Sequence, residues 1–466
     1  MRQEQPIIGS RLVVAIFAFL AFIVVSNNTA ASIAQPAIGQ AFGAGPADVG
    51  WVVFGFGTTF AIGTAVWGGL AGRLGTGPSL ATGVVLLSAG SVLAAVAPSL
   101  PVLIAARAIQ GFGAGVIPTL SATTIARHFD GAARSRALGT VIAGVVLGIA
   151  LGPLLGGIVL ELVGWQGPVA FGVAAAPTAV LLYAHSDRDQ DRDARIDLVG
   201  AILVAMAVAG TTLTLNRLPL VGLAAPTVVS IALLAVAVAL IVWRSDRAET
   251  LVPRRIVTDP AFTGIVALGS LGMSAFLGTL VLVPVAAARA HGLTGLALGL
   301  LILPLAVVAA VASLNNATVQ ELLGRRRTTI ASLTALSLGA AGAGILGAET
   351  PPIVTAVALV PIGIGFGLLQ APLVNELTVA FGDSDRPVAL GLYNLMFFLG
   401  GAAGAALATA LVQGAVELPF LAGRAVPGFS TSVLVLALGP AIAVAVLLAR
   451  PTPTAESAAK TVSRQP

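Results

Sequence analysis

Arg107 is the residue best placed to do chemistry in this chain, because it is a charge set inside an otherwise apolar stretch. It follows Pro101-Val-Leu-Ile-Ala-Ala and precedes Ala-Ile-Gln110-Gly111-Phe-Gly113. A guanidinium does not shed its proton, so it must be solvated or fully hydrogen-bonded. Counted along a helix from Pro101, it lies about 9 Å into the apolar run. It can face a bundle interior with polar partners, or snorkel back to the surface. Uncharged amides recur in other apolar stretches: Asn27, Asn28 and Gln35 (with Ser32), Gln110, Asn315 and Asn316, Gln370 and Asn375, and Asn394. An unpaired amide in an apolar medium is costly, so these residues either line a shared cavity or tie helices together. Of the 19 acids, none stands near the middle of an apolar stretch. Two are candidates for loading and releasing a proton: Glu376, just inside one boundary, and Glu161, at the far end of the fifth stretch, where it could face Arg107. Each could equally be a solvated end residue.

Other chemistries are excluded. There is no cysteine, and His128, His185 and His291 are dispersed, so neither a disulfide, a thiolate nor a metal cluster is expected. The chain has no His-Glu-x-x-His, no intramembrane carboxylate pair and no serine with a convincing base, so no catalytic residue or cofactor is expected. The pI near 10.8 is high. The arginines are scattered without an aromatic platform, however, which argues against nucleic acid as a partner.

The elements that must position these residues follow from composition. A mean hydropathy of +1.01, with 57% hydrophobic and 9% charged residues, excludes an ordinary soluble domain. The chain divides into fourteen apolar runs, at about 11–34, 48–71, 78–97, 101–126, 136–160, 166–184, 198–217, 224–243, 260–286, 294–320, 328–347, 352–376, 387–414 and 429–449. Isolated strands cannot satisfy their backbone in lipid, so the runs are read as transmembrane helices of an all-α polytopic protein. Threading them alternately places 20 of the 24 basic residues on one side, 3 on the other (Arg217, Arg289, Arg424) and Arg107 within a span. Basic residues are retained in the cytoplasm, so both termini are expected there. Residues 12–25, followed by Ala31-Ser32-Ile33-Ala34, have the look of a signal peptide, but the run leads into further spans and is expected to be retained. Arginine outnumbers lysine 23 to 1, a sign of a GC-rich bacterial genome and hence of a bacterial cell membrane. Charged loops divide the spans into a six-helix bundle over 1–184, two extra helices over 185–258 and a second bundle over 259–449. A disordered tail is expected over 450–466.

The fifth run carries Gly144, Gly148, Gly152 and Gly156 at four-residue spacing, with Pro153 and Gly157. Such a stripe lets a neighbouring helix approach closely, and Pro153 favours a bend. Two turns echo each other: Gly68-Gly69-Leu-Ala-Gly72-Arg73-Leu-Gly75 and Leu322-Leu323-Gly324-Arg325-Arg326-Arg327. The stretch from Gly148 to Gly157 resembles the glycine–proline signature of exporters of the major facilitator superfamily. The run from Arg107 to Gly113 resembles that family's arginine–glutamine–glycine motif, and the turn at Arg73 its cytoplasmic loop signature. Asp197-Leu-Val-Gly200 and Leu251-Val-Pro253-Arg254 are similar to its fourteen-helix drug:proton antiporter branch. The resemblance implies two six-helix bundles plus two additional helices, and proton-driven export of small amphipathic molecules by alternating access. There are departures. Gly72 stands in place of an acid, Thr76, Gly77 and Pro78 in place of a basic cluster, Asn27-Asn28 where an aspartate is usual, and Gln166 for an arginine. A facilitator or differently coupled carrier, or a lipid flippase on the same fold, therefore stay open. An amide-rich cavity with one arginine favours neutral or anionic substrates, and a monomer is expected.

Overall fold

Backbone groups inside a lipid core must be satisfied within their own segment, and the chain answers with helices. The computed structural model describes residues 10–185, 197–247, 250–293, 295–382, 385–414, 416–421 and 425–449. The tail over 450–466, most of the loop before Asp197, and Arg424 lie outside the described residues. Among those described there is no strand, and thirteen helices are long and apolar enough to cross a membrane.

The N-terminal bundle comprises α1 (Ser10–Ile33), α2 (Trp51–Leu74), α3 (Thr76–Ala95), α4 (Leu100–Ala114, continued as Val116–His128), α5 (Gly131–Val163) and α6 (Ala176–His185). The extra pair is α7 (Leu198–Val221) and α8 (Ala225–Arg244). The C-terminal bundle comprises α9 (Pro260–His291), α10 (Gly295–Leu314, continued as Asn316–Leu323), α11 (Arg325–Leu346), α12 (Pro352–Ala358, continued as Val360–Ala380), α13 (Arg386–Gln413) and α14 (Phe429–Ala449). α7 is likewise helical for 24 residues and contains the apolar segment Val199–Leu215.

Prolines explain three interruptions that hydropathy alone does not reveal. The helix breaks at Ala34, Gly115 and Leu359 each lie two or three residues before Pro36, Pro118 or Pro361. A proline has no N–H to donate, and its ring crowds the carbonyl one turn back. Pro153 behaves otherwise: α5 runs uninterrupted through it for 33 residues, so the expected bend does not become a break.

Each bundle is built on one tight pair, α1 with α5 and α9 with α13. A Cβ on Gly144 would collide with the Ala18 carbonyl, and one on Gly152 with Thr29 Oγ1. At Gly148 it would lie 2.8 Å from the Phe22 carbonyl, and at Gly156 2.7 Å from Ala30 Cα. Gly157, expected to join the stripe, has nothing within 4 Å because it points off that face. The second bundle repeats the device: a Cβ on Gly400 would lie 2.7 Å from Ser270 Cα, and one on Gly404 would meet the Ser274 carbonyl. A hydroxyl staples each pair, Thr29 Oγ1 to the Gly148 carbonyl (3.3 Å) and Ser270 Oγ to the Met396 carbonyl (2.9 Å).

The bundles meet along two seams, α2 against α13 and α5 against α10, and α7 covers the first by resting on α2 and α13. Asp197 fastens this extra pair. Its carboxylate accepts from the Gly200 N–H (2.8 Å), the Leu251 N–H (3.0 Å) and Arg244 (2.7 Å). Burial alone would raise its pKa, but those two N–H donors and Arg244 outweigh burial and hold it below the usual carboxylate range.

Two outcomes follow from this packing. Gly152→Ala should lower the stability of the detergent-solubilised protein by roughly 1–3 kcal/mol, while Gly157→Ala leaves it unchanged, as read by unfolding midpoints. Asp197→Asn should cost about 2 kcal/mol at neutral pH, because a charged acceptor is lost. Because the folded-state pKa is depressed, the stabilisation exists above the unfolded-state pKa and fades as pH falls through the folded-state value. Wild type and variant should therefore converge in acid.

Candidate functional site

Arg107 is fully buried in α4, and the helix packing around it is what allows this. A Cβ at Gly111 would collide with the Phe56 carbonyl, so glycine there lets α4 lie directly on α2. The guanidinium then reaches the Val52 carbonyl through Nε (3.0 Å), Gln110 Oε1 through Nη1 (2.7 Å) and Asn28 Oδ1 through Nη2 (2.9 Å). Its plane sits over the Phe56 ring, 4.5 Å from the centroid. Gln110 passes the connection on, donating through Nε2 to Ser91 Oγ (2.7 Å) and to the Val169 carbonyl (2.9 Å). Two side chains, Arg107 and Gln110, thereby link α1, α2, α3, α4 and the segment leading into α6. Every acceptor in the network is neutral, so the positive charge is solvated but not cancelled. Hydrogen bonds to a charged group contribute about 1.5–3 kcal/mol each, and three of them with a ring face offset much of the desolvation cost.

The other candidates divide between places. Asn27 is fully buried beside this network, and neither of its amide atoms has a hydrogen-bond partner. Gln35 is half-buried beyond the break at Ala34, and Ser32 is exposed. Gln370 is half-buried on α12. Asn394 is buried on α13, on the stripe with Gly391 that faces α2, and its Nδ2 is unpartnered. Asn315 is exposed and folds back onto the Val311 carbonyl (2.8 Å), so it does not line an interior cavity. Arg73 is exposed at the end of α2. Glu161 is exposed at the end of α5 and is not a partner of Arg107, contrary to the expected pairing: the hydrogen bonds of the guanidinium run to a carbonyl and two amides instead. Glu376 is likewise exposed, because the buried face of its helix carries Asn375, Leu377 and Thr378.

Asn316 and Asn375 belong to a second cluster, on the face that carries Arg134, Arg325 and Arg386. There Ser135 of α5 accepts from Asn375 Nδ2 (2.8 Å) and from Gln320 Nε2 (3.2 Å), and Gln320 also donates to Asn316 Oδ1 (2.6 Å). Arg134 Nη1 donates to Thr378 Oγ1 (3.1 Å), and Ser313 Oγ to the Gly139 carbonyl (2.8 Å). These cross-bundle bonds all end on uncharged acceptors. A neutral latch therefore holds the bundles together at this face. The role of Ser135 and Gln320 is not apparent from the sequence, since their partners lie 240 and 185 residues apart.

Two tight helix pairs, two bundles and two seams make a distinctive arrangement, and the sequence model of the Major Facilitator Superfamily matches residues 17–405. The chain belongs to the major facilitator superfamily. It is 30% identical over 462 residues to the cephamycin export protein CmcT of Amycolatopsis lactamdurans, covering 93% of this chain and 92% of that one. It is 28% identical over 399 residues to the drug efflux pump JefA of Mycobacterium tuberculosis (84% and 78% covered). It is also 28% identical over 364 residues to the methylenomycin A resistance protein of Streptomyces coelicolor (76% and 76% covered). In fold it is similar to the proton:xylose symporter XylE (TM-score 0.67, 16% identity, 94% and 95% covered) and to the human organic anion transporter MFSD10 (TM-score 0.66, 15% identity, 93% and 99% covered). This facilitator-superfamily protein is a multi-pass membrane transporter rather than an enzyme, and its relatives are drug and antibiotic efflux proteins.

The neutral latch makes a prediction for this transporter. Ser135→Ala removes the acceptor that Asn375 and Gln320 share across the bundles, so the basic face should open more often. With no native cysteine, a single Ala317→Cys thiol behind the latch should label several-fold faster with a maleimide in Ser135→Ala and at the parental rate in Ser135→Thr.

Proposed function

We propose that this chain exports small amphipathic molecules, neutral or anionic, across a bacterial cytoplasmic membrane by alternating access. The basic face is read as cytoplasmic because arginines concentrate there, which also puts both termini inside. The observation carrying the substrate class is Arg107: a buried charge whose named partners are all neutral. Three of its five N–H donors are engaged, which leaves donors for a carbonyl or carboxylate oxygen when the bundles part. A lipophilic cation would meet uncompensated repulsion at the same place. Asn28, Gln110, Asn27 and Asn394 complete the proposed contacts, two of them with amide atoms that have no protein partner. The names of the efflux relatives are consistent with export of antibiotic-like compounds. The working unit is a single chain.

The proton gradient is the proposed driver, with Glu376 and Glu161 as the carriers to test. A second reading, a facilitator or differently coupled carrier, is favoured by one observation. Both carboxylates are exposed at helix ends, away from the Arg107 network.

Proteoliposomes offered matched neutral, carboxylate and quaternary-ammonium amphipaths test both. Neutral and carboxylate compounds should move, and Arg107→Ala should reduce their rate by roughly tenfold or more, the loss of at least one strong charged hydrogen bond. Preferred transport of the quaternary ammonium, unchanged in Arg107→Ala, contradicts the substrate assignment. Proton flux driven by substrate and abolished in Glu376→Gln or Glu161→Gln identifies the carrier; downhill transport without flux at any pH selects the second reading.

A further inference from the structure

Beside the neutral latch, a cleft of about 630 Å³ opens on the basic face, lined in part by Arg134, Ser135, Arg325, Asn375 and Arg386. Arg134 comes from the N-terminal bundle; Arg325 and Arg386 come from the C-terminal one. The charges of Arg325 and Arg386 act on Arg134 across the seam, so closing the bundles brings like charges together. Arg134 is fixed in place: its side chain is only 14% exposed, and it donates to the Phe129 carbonyl (2.8 Å), the Ala126 carbonyl (3.1 Å), Thr378 and Asp130. Two carboxylates also line the cleft. Asp130 is spent on Arg134, at 2.8 Å, with its own side chain 99% exposed, and Glu321 is exposed. Among the described residues that line the cleft, three guanidiniums stand against two carboxylates.

A further group narrows the ligand. Asn375 is buried, its Nδ2 donates to Ser135, and its Oδ1 is a buried acceptor with no donor. The complementary ligand presents several anionic oxygens to guanidiniums and one O–H to Asn375. Hydrogen phosphate has that O–H at neutral pH; phosphate monoesters, whose second pKa is about 6, and sulfate, carboxylates and the phosphodiesters of lipid headgroups do not.

We propose that this cleft binds inorganic phosphate, which bridges Arg134 to Arg325 and Arg386 and holds the basic face closed. The binding site stands on the cleft alone, whereas its effect on the transport cycle rests on the alternating-access reading above.

The test uses the full chain carrying Ala317→Cys as its only thiol, since that alanine is buried and lines the cleft. Maleimide labelling is followed in detergent with phosphate, sulfate or chloride at matched ionic strength, and in nanodiscs of phosphatidylglycerol or phosphatidylcholine. Phosphate should slow labelling saturably, by roughly threefold or more, with sulfate much weaker. The slowing should disappear in Arg325→Gln/Arg386→Gln. Phosphate should also raise the thermal midpoint of the unmodified protein, which guards against a reporter that folds poorly. Equal effects of phosphate and sulfate, slowing that survives in the double variant, or slowing only in phosphatidylglycerol nanodiscs would each overturn the proposal. None of these readouts requires transport, so failure of the export reading leaves them interpretable.

Discussion

A permanent cation in an apolar interior has to be solvated by the protein, and in this chain the whole N-terminal bundle is arranged to do so. Arg107 draws on a carbonyl from α2, an amide from α1 and an amide from its own helix, and Gln110 extends the connection to α3 and the approach to α6. The helices cannot drift apart without stranding a guanidinium, an outcome worth several kcal/mol in a low-dielectric setting. Arg107 and Gln110 thus tie four helices of the bundle together. The same constraint explains why glycine sits at 111, where any side chain would hold α4 away from α2.

The second bundle has no such charge, yet it reproduces the frame. Glycines and a hydroxyl staple set the α9–α13 pair as they set α1–α5. In lipid there is little hydrophobic drive between helices, so close backbone approach and interhelical hydrogen bonds carry the association. Between the two frames the chain uses weaker joints: a cluster of amides and hydroxyls around Ser135, and a pair of added helices laid over one seam. The hydrogen bonds of the Ser135 joint end on uncharged acceptors, while the three guanidiniums beside it repel one another across the seam. The carboxylate of Asp197, by contrast, is ion-paired and backbone-bonded, and it secures the added pair rather than the interface between the bundles.

Much of this was legible in the sequence, and the reasons are particular. Hydropathy and arginine placement found the spans, since lipid tolerates few alternatives. The stripe at Gly144, Gly148, Gly152 and Gly156 is visible because four residues return to the same helix face, whereas Gly157, one residue further on, has no neighbour within 4 Å. Arg107 and Gln110 stood out because polar groups are scarce in apolar runs. Partnerships were harder. Glu161 was a plausible mate for Arg107 by depth, but Asn28 and a main-chain carbonyl already fill that role, and a carbonyl leaves no mark in sequence. Asn315 and Asn316 look alike as letters, yet the break between the two halves of α10 turns one outward and the other into the latch. Ser135 is ordinary in composition and becomes important only through residues far away in the chain.

The most direct measurement is a double-mutant cycle between Arg107 and Asn28, using Arg107→Met and Asn28→Ala and equilibrium unfolding in mixed micelles. A buried guanidinium held by neutral acceptors predicts a coupling energy above about 1 kcal/mol, because either change strands the other group. Strict additivity of the two substitutions would mean that the arginine is solvated some other way, and the account built on it would not stand.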